Sequence, residues 1–271
     1  MNNGYYQAAG AMVTQFNRLD VITQNLANVN TMGYKRQDVV IADFERIFKD
    51  RRDELPLQNH TKDAAKFLSR SINRVPNINE RYTDYSAGAM KASTNALDVA
   101  ITRDDSFLMV QTPNGDLRLS KNGSLNLDDE GFIVTKDGYR VMDSAYANTP
   151  DGRRGIQVPP DVALTITQNG EVYGDDVLLG RFFVAVPREI RDLMPDGDNL
   201  YKFPRIEDIE DNEISAAFKQ GIAQMSNVNP VTEMVNLIQT QRMVETYQKV
   251  MTTHMNDLNS EAISKLASVR A

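Results

Sequence analysis

The chain has 271 residues, with 30 basic against 37 acidic side chains and a formal net charge of −7 at pH 7, which excludes a protein that grips nucleic acid by bulk charge. Its 41% apolar, 25% charged and 7% aromatic residues suffice for one generous core or two modest ones. There is no cysteine, and His60 and His254 are the only histidines, which removes disulfides, thiolate zinc sites and thiol nucleophiles and leaves little histidine chemistry.

Met1-Asn2-Asn3-Gly4-Tyr5-Tyr6-Gln7 lacks the positive start, apolar run and small-residue site of a cleavable signal peptide. No uninterrupted apolar run of about 18 residues exists, so no membrane-spanning helix is expected. Residues 1 to about 30 contain no proline, and Tyr5, Ala9, Met12, Phe16, Leu19, Thr23 and Leu26 alternate four and three apart, which predicts a helix with a heptad seam. Tyr6, Val13 and Ile22 broaden the stripe, and Asn30-Thr31-Met32-Gly33 offers a glycine for a left-handed stop.

From Gln37 to about Arg81 neither helical nor strand period holds. Short helices at 43–48 and 62–71, interrupted by Pro56 and Pro76, are the expectation there. Residues 46–81 carry nine Lys or Arg against five Asp or Glu, whereas Glu207, Asp208, Glu210, Asp211 and Glu213 cluster with the opposite sign. Two solvated faces and charge complementarity between neighbouring molecules are the alternatives.

The period then becomes two. Short apolar runs at 97–101, 107–110, 117–119, 124–127, 132–134, 164–166, 171–173 and 181–186 are separated by Asn114-Gly115, Asn122-Gly123, Asp137-Gly138 and Asn169-Gly170. These dipeptides tolerate the positive φ angles of tight hairpins, so an antiparallel β domain is predicted.

At the far end, Asn229-Pro230 is an N-cap followed by proline at the first helical position, with Glu233 near the positive end of the dipole. Leu237, Thr240, Val244, Tyr247, Met251, His254 and Leu258 repeat the three-four spacing, and Ile263, Leu266 and Val269 continue an apolar face. A helix of some 40 residues would reach about 60 Å. The fold class expected is α+β: long N- and C-terminal helices paired as a coiled-coil-like domain, with an inserted antiparallel all-β domain. The divisions are 1–36 for the first helix, 37–84 for an extended linker, 85–220 for the β domain and 221–271 for the last helix.

A lone two-helix hairpin hides few of its apolar side chains. Burying a Leu, Met or Phe gives roughly 1.5 to 3 kcal/mol, while ordering each residue costs on the order of 1 to 2 kcal/mol, so the two nearly cancel. The termini are therefore expected to fray in a monomer and to become rigid when several copies pack together. The assembly interface is assigned to Tyr5, Met12, Phe16, Leu19, Ile22, Leu26, Leu237, Val244, Tyr247, Met251, His254 and Leu258. The helix edges nearest the β region are amide-rich, with Asn25, Asn28 and Asn30 on one side and Asn227 and Asn229 on the other, as caps and register-setting groups require.

At these residues a family resemblance emerges. Leu19-Asp20-Val21-Ile22-Thr23-Gln24-Asn25-Leu26-Ala27-Asn28-Val29-Asn30-Thr31-Met32-Gly33-Tyr34-Lys35-Arg36 closely resembles the amino-terminal signature of the bacterial flagellar rod and hook family. Ser226-Asn227-Val228-Asn229-Pro230-Val231-Thr232-Glu233-Met234-Val235 resembles its carboxy-terminal partner, and the stretch 88–101 is similar to the segment by which the family enters its β domain. The junction residues on these motifs are Asn25, Asn28, Asn30, Gly33, Asn227, Asn229 and Pro230. The resemblance implies a structural subunit of the flagellar basal-body rod, exported through the flagellum-specific type III apparatus without a cleavable signal. It would polymerise into the periplasmic tubular drive shaft that transmits torque to the hook, with the helices inside and the β domain outside. Implied partners are copies of itself, other rod subunits, hook or adjacent rod subunits and the export apparatus. The length suits proximal-rod and distal-rod members and is short for a hook subunit, and the absence of a glycine-rich insertion after Phe44 favours a proximal-rod over a distal-rod member. Where the family commonly has Gly-x-Gly-Phe-Phe, this chain has Arg103-Asp104-Asp105-Ser106-Phe107-Leu108.

No catalytic, cofactor-binding or metal-binding residue is assigned. Asp128-Asp129-Glu130-Gly131 lacks the ligand spacing of a calcium loop and reads as a hairpin turn. His254 reads as a packed or register-setting residue. A hydrolase would need a pocket converging on carboxylates such as Asp98, Asp104 and Asp105. The alternative from another class is an extracellular adhesin or cargo-binding module on an oligomerising helical stalk, which would form a closed oligomer of fixed size.

Overall fold

The computed structural model describes residues 3–43, 76–146, 155–160, 162–211 and 218–268. Two helices stand at the ends, α1 over Asn3–Ala27 and α2 over Pro230–Ser268, and they pack against each other. Among the described residues, the regular structure between them is strand or short 3-10 turn. This is the α+β arrangement that the change of period predicts.

The chain divides into two compact units. One holds the described parts of Met1–Ala27, Gln37–Tyr82 and Asn229–Ala271, and the other holds those of Asn28–Arg36 and Thr83–Val228. In the helical unit α2 starts where the cap signal puts it: the Asn229 Oδ1 accepts from the backbone N–H groups of Val231 at 3.0 Å and Thr232 at 3.3 Å. Pro230 then occupies a position whose N–H would have had no helical partner. Strand Gln37–Asp43 pairs with strand Pro76–Thr83, so the β-branched run Val39-Val40-Ile41 outweighs the absence of a clear period. Apart from Asp43, the last residue of that strand, the expected short helices at 43–48 and 62–71 lie outside the described residues.

The β unit is organised on one antiparallel sheet. Its strands follow the order Met194–Pro195, Leu200–Lys202, Leu117–Ser120, Phe107–Gln111, Arg140–Val141, Ile133–Thr135 and Leu125–Leu127. Val184–Pro187 also pairs with the strand Phe107–Gln111 and carries Ile209–Asp211 on its other edge. Phe107 and Met109 join one buried cluster with Leu119, Met142 and Tyr201, while Leu108 and Val110 join another with Leu125, Ile133 and Phe182. Both faces of this strand are covered, which is why it reads as unbroken apolar sequence rather than alternation. The run 181–186 is not one strand. It splits into Val177–Arg181 and Val184–Pro187, because the chain changes partners there: the first segment pairs with Glu171–Gly174, Phe182 forms only an isolated bridge with Asp143, and the second pairs with Phe107–Gln111 and Ile209–Asp211.

The turns differ from expectation in an instructive way. Gly115, Gly138 and Gly170 do have positive φ, but the asparagine or aspartate before each does not, and each glycine N–H bonds three residues back, to Thr112, Thr135 and Thr167. These are type I turns closed by a left-handed glycine, not two-residue hairpins with both central φ angles positive. Gly123 has no positive φ at all. The two-residue loop with both angles positive is Asp175-Asp176, at φ 47° and 67°, between the paired residues Gly174 and Val177.

Candidate assembly interface

The helical unit contains two distinct apolar faces on α1. Ala8, Ala11, Thr14, Gln15, Val21, Ile22 and Asn25 are the buried positions of α1. They centre roughly 110° around the helix from the Met12, Phe16, Leu19 seam, at about 100° per residue. The chain therefore buries a mixed face of small, polar and β-branched residues. Of the predicted interface positions only Ile22 is buried; Tyr5, Met12, Leu19 and Leu26 are half-buried, and Phe16 is 46% exposed beside exposed Val13.

On α2 the predicted seam coincides with the covered face. Thr240 is buried and Leu237, Val244, Tyr247, Met251 and His254 are half-buried, with buried Glu233 one turn before them; Leu258 lies outside the described side chains. A second stripe missed by the heptad reading occupies the first two turns. Val231, Met234, Val235 and Ile238 follow the i, i+3, i+4, i+7 pattern and are all exposed, on nearly the opposite side of the helix. Exposed apolar runs of this kind mark association surfaces. The sequence signal was present in those four residues, but the stronger seam masked it.

The amide-rich residues do more than cap helices. In the helical unit, Asn25 donates from Nδ2 to the Gln37 carbonyl at 2.7 Å and accepts from the Gln37 N–H at 2.9 Å, so its side chain extends a strand. Asn28 closes a turn, its carbonyl accepting the Thr31 N–H at 3.1 Å and its Oδ1 the Thr31 hydroxyl at 3.1 Å. Asn30 is exposed.

In the β unit, Asn227 clamps two segments. Its Oδ1 accepts the Arg36 N–H at 2.7 Å, and its Nδ2 donates to the carbonyls of Asp84 at 2.8 Å and Ser86 at 3.3 Å. Asn227→Ala is expected to cost about 2 to 3 kcal/mol, since it orphans backbone groups at both segments. Denaturant unfolding of the full chain checks this, and a loss below about 0.5 kcal/mol would contradict the clamp.

Gly33 is not the stop of α1, which ends six residues earlier. Its φ is +70°, and a Cβ there would lie 2.3 Å from the Lys121 carbonyl oxygen, while its N–H donates to the Gln224 carbonyl at 2.9 Å. Asn199, itself at φ 59°, donates to the Met32 carbonyl at 3.0 Å. This contact across the chain was not foreseen, although asparagine after Gly197-Asp198 is a residue that tolerates the left-handed region.

The carboxylates singled out as alternatives are occupied by local structure. Asp98 is buried and accepts from the Ser93 hydroxyl at 2.5 Å, the Ser124 hydroxyl at 3.1 Å and the Asn95 amide at 3.2 Å. Asp105 ion-pairs with Arg103 at 2.5 Å and accepts from buried Ser106; the Arg103 bond above all holds its carboxyl below the usual range, and the contacts tie the loop 103–106 together. Asp128 receives the N–H groups of Glu130 and Phe132 at 3.0 and 2.7 Å, as a turn requires. Among the described residues no three His, Asp or Glu side chains are grouped to hold a metal. Within the acidic cluster, Glu210 pairs with Arg188 at 3.3 Å and Asp211 with Arg181 at 2.5 Å.

Paired terminal helices that leave apolar stripes exposed, together with an inserted antiparallel β region, define an α+β protein with association surfaces on its helices. Residues 6–35 match the family model described as flagella basal body rod protein, 100–174 that of the flagellar hook protein FlgE/F/G D1 domain, and 219–264 that of the flagellar basal body rod FlgEFG protein C-terminal region. The chain is 30% identical over 258 residues to the flagellar basal-body rod protein FlgG of Agrobacterium fabrum, covering 91% of this chain and 93% of that one. It is 27% identical over 270 residues to the FlgF protein of Caulobacter vibrioides, covering 99% and 100%. It is also 23% identical over 278 residues to the hook-basal body complex protein FlhO of Bacillus subtilis, covering 97% and 98%. The chain belongs to the flagellar basal-body rod protein FlgEFG family, a structural and not an enzymatic family, and is a basal-body rod subunit of the FlgF/FlgG type. No helix among the described residues is long and apolar enough to cross a membrane.

Proposed function

We propose that this chain is a proximal-rod subunit of the FlgF type, exported by the flagellar type III apparatus and polymerised in the periplasm with copies of itself and neighbouring rod or hook subunits. The resulting tube transmits torque to the hook. The observation that carries the assembly reading is the division of α1 into two faces. The face carrying Ala8, Ala11, Thr14, Val21 and Ile22 is buried within the chain, while Val13 and Phe16, with Val231, Met234, Val235 and Ile238 on α2, stay exposed. Covering such stripes is worth roughly 1.5 to 3 kcal/mol per large side chain, which a neighbouring copy can supply. Tyr5, Met12, Leu19, Leu26 and the α2 seam then tighten as the helices pack.

The FlgF reading is supported by the end-to-end match with the Caulobacter protein, against 91% coverage of this chain by the Agrobacterium FlgG. A subunit-resolved electron microscopy map of intact basal bodies tests both parts. This chain is expected in the proximal rod with α1 and α2 lining the tube wall. Its appearance in the distal rod would overturn the subtype, and terminal helices pointing away from the wall would overturn the packing scheme.

A further inference from the structure

The β unit encloses two lysines that no turn, cap or core requirement explains. Lys35, in the segment 28–36, and Lys121, just before Asn122-Gly123, are each only 1% exposed. The Lys35 Nζ donates to the Ser86 carbonyl at 2.7 Å and the Lys121 Nζ to the Arg103 carbonyl at 2.5 Å. The Lys121 amine also lies 4.6 Å from the centre of the Phe107 ring, which Tyr85 and Tyr201 flank at 5.7 and 5.8 Å. Among the described residues neither amine has a carboxylate within ion-pair distance. The backbones of the two segments approach closely, since a Cβ added at Gly33 would lie 2.3 Å from the Lys121 carbonyl oxygen.

An ammonium group has three donors, and each amine here has one described acceptor. Burying such a charge is costly, and a second buried charge of the same sign adds to the cost. The charged groups facing the pair are Asp104, which attracts both amines, Asp84, which attracts Lys35, and Asp105 and Arg103, which act on Lys121 with opposite signs. The surrounding phenols of Tyr85 and Tyr201 are pushed upward by burial, Tyr85 to about 12, and so stay neutral.

We propose that Lys35 and Lys121 form a pH-responsive latch: segment 28–36 lies firmly on the β unit while one of the two amines is neutral and loosens when both are protonated. The proposal goes beyond the assembly function and does not depend on it. Burial, and next the charge of Lys35, bring Lys121 down to about 7, and burial lowers Lys35 as well. Both shifts fall below the value of a solvated lysine, so the opened state binds more protons than the closed one at intermediate pH. The closed segment therefore gains stability as pH rises from about 7 towards 10, and the whole penalty is present below about 7.

Hydrogen exchange of the full chain, corrected for intrinsic exchange rates, tests the latch. Protection of residues 28–36 should rise with pH above neutrality, by at most about tenfold per unit for one proton. Lys121→Met keeps an unbranched apolar stem and should give higher protection near neutrality with a shallower pH dependence, that of Lys35 alone; Lys121→Arg stays charged and should give lower protection than the parent. A flat profile in the parent protein, or an unchanged slope in Lys121→Met, would overturn the proposal. Where a variant fails to fold, carbon-13 titration of the lysine Cε signals in the parent decides. One amine titrating near neutrality supports the latch, and all lysines titrating near 10.4 refute it.

Discussion

Phe16→Asp is expected to leave the isolated protein as stable as its parent while abolishing incorporation into the rod and, with it, swimming. Phe16 is 46% exposed and lies on the α1 face that the chain itself does not bury, so in the monomer the carboxylate stays in water and costs little. In a helix-to-helix contact between copies the same charge loses its hydration without a partner. That costs about 3 kcal/mol or more, roughly a hundredfold or greater in each association constant. Ile22→Asp makes the contrast, because Ile22 is only 4% exposed and the charge there would destabilise the isolated chain directly. Thermal unfolding of purified protein, read beside the recovery of basal bodies from cells, separates the two. Intact rods containing Phe16→Asp would remove the basis for placing this stripe between copies.

Gly33→Val should damage the β unit severely, lowering stability by about 3 kcal/mol or more. Two effects add. The φ of +70° excludes a β-branched residue, and the new Cβ would meet the Lys121 carbonyl oxygen at 2.3 Å and the Asn122 nitrogen at 2.7 Å. Those are backbone atoms of a segment buried at Lys121, Asn122 and Gly123, so neither can step aside. Gly115 supplies the control, with φ +88° and nothing within 4 Å of an added Cβ. There an alanine should cost only about 1 kcal/mol, the conformational part alone. Urea denaturation of the two variants measures the difference, and equal losses would show that the approach to Lys121 carries no energy.

Several features were legible without a structure for definite reasons. Helix boundaries at Pro230 and the β texture after Val99 depend on neighbours along the chain: a cap, a missing N–H, a period of two. The α2 seam was found because its apolar residues recur at helical spacing over more than 20 residues, from Leu237 to Leu258. On α1 the same logic located an apolar stripe but not what covers it. The face actually buried is marked by Ala8, Ala11 and Thr14, small residues that let another helix approach closely and carry almost no hydropathy signal. The amide-rich edge at Asn25 reads as a cap or a register-setting group, because asparagine serves both. The true bonds of Asn25 go to Gln37, twelve residues on.

Periodicity, caps and turn residues thus specified the elements of this protein, its α+β class and its assembling character, because those properties arise from side chains within a few positions of one another. Tertiary structure alone decided which stripe each helix keeps for itself, why position 33 must be glycine, and that Lys35 and Lys121 are buried. Each of these depends on atoms brought together from distant parts of the chain: the Ser86 carbonyl lies 51 residues from Lys35, and the Met32 carbonyl 167 from Asn199. Local sequence carries no record of such distances, since chain folding creates the low-dielectric surroundings and the close backbone approach that give these residues their roles.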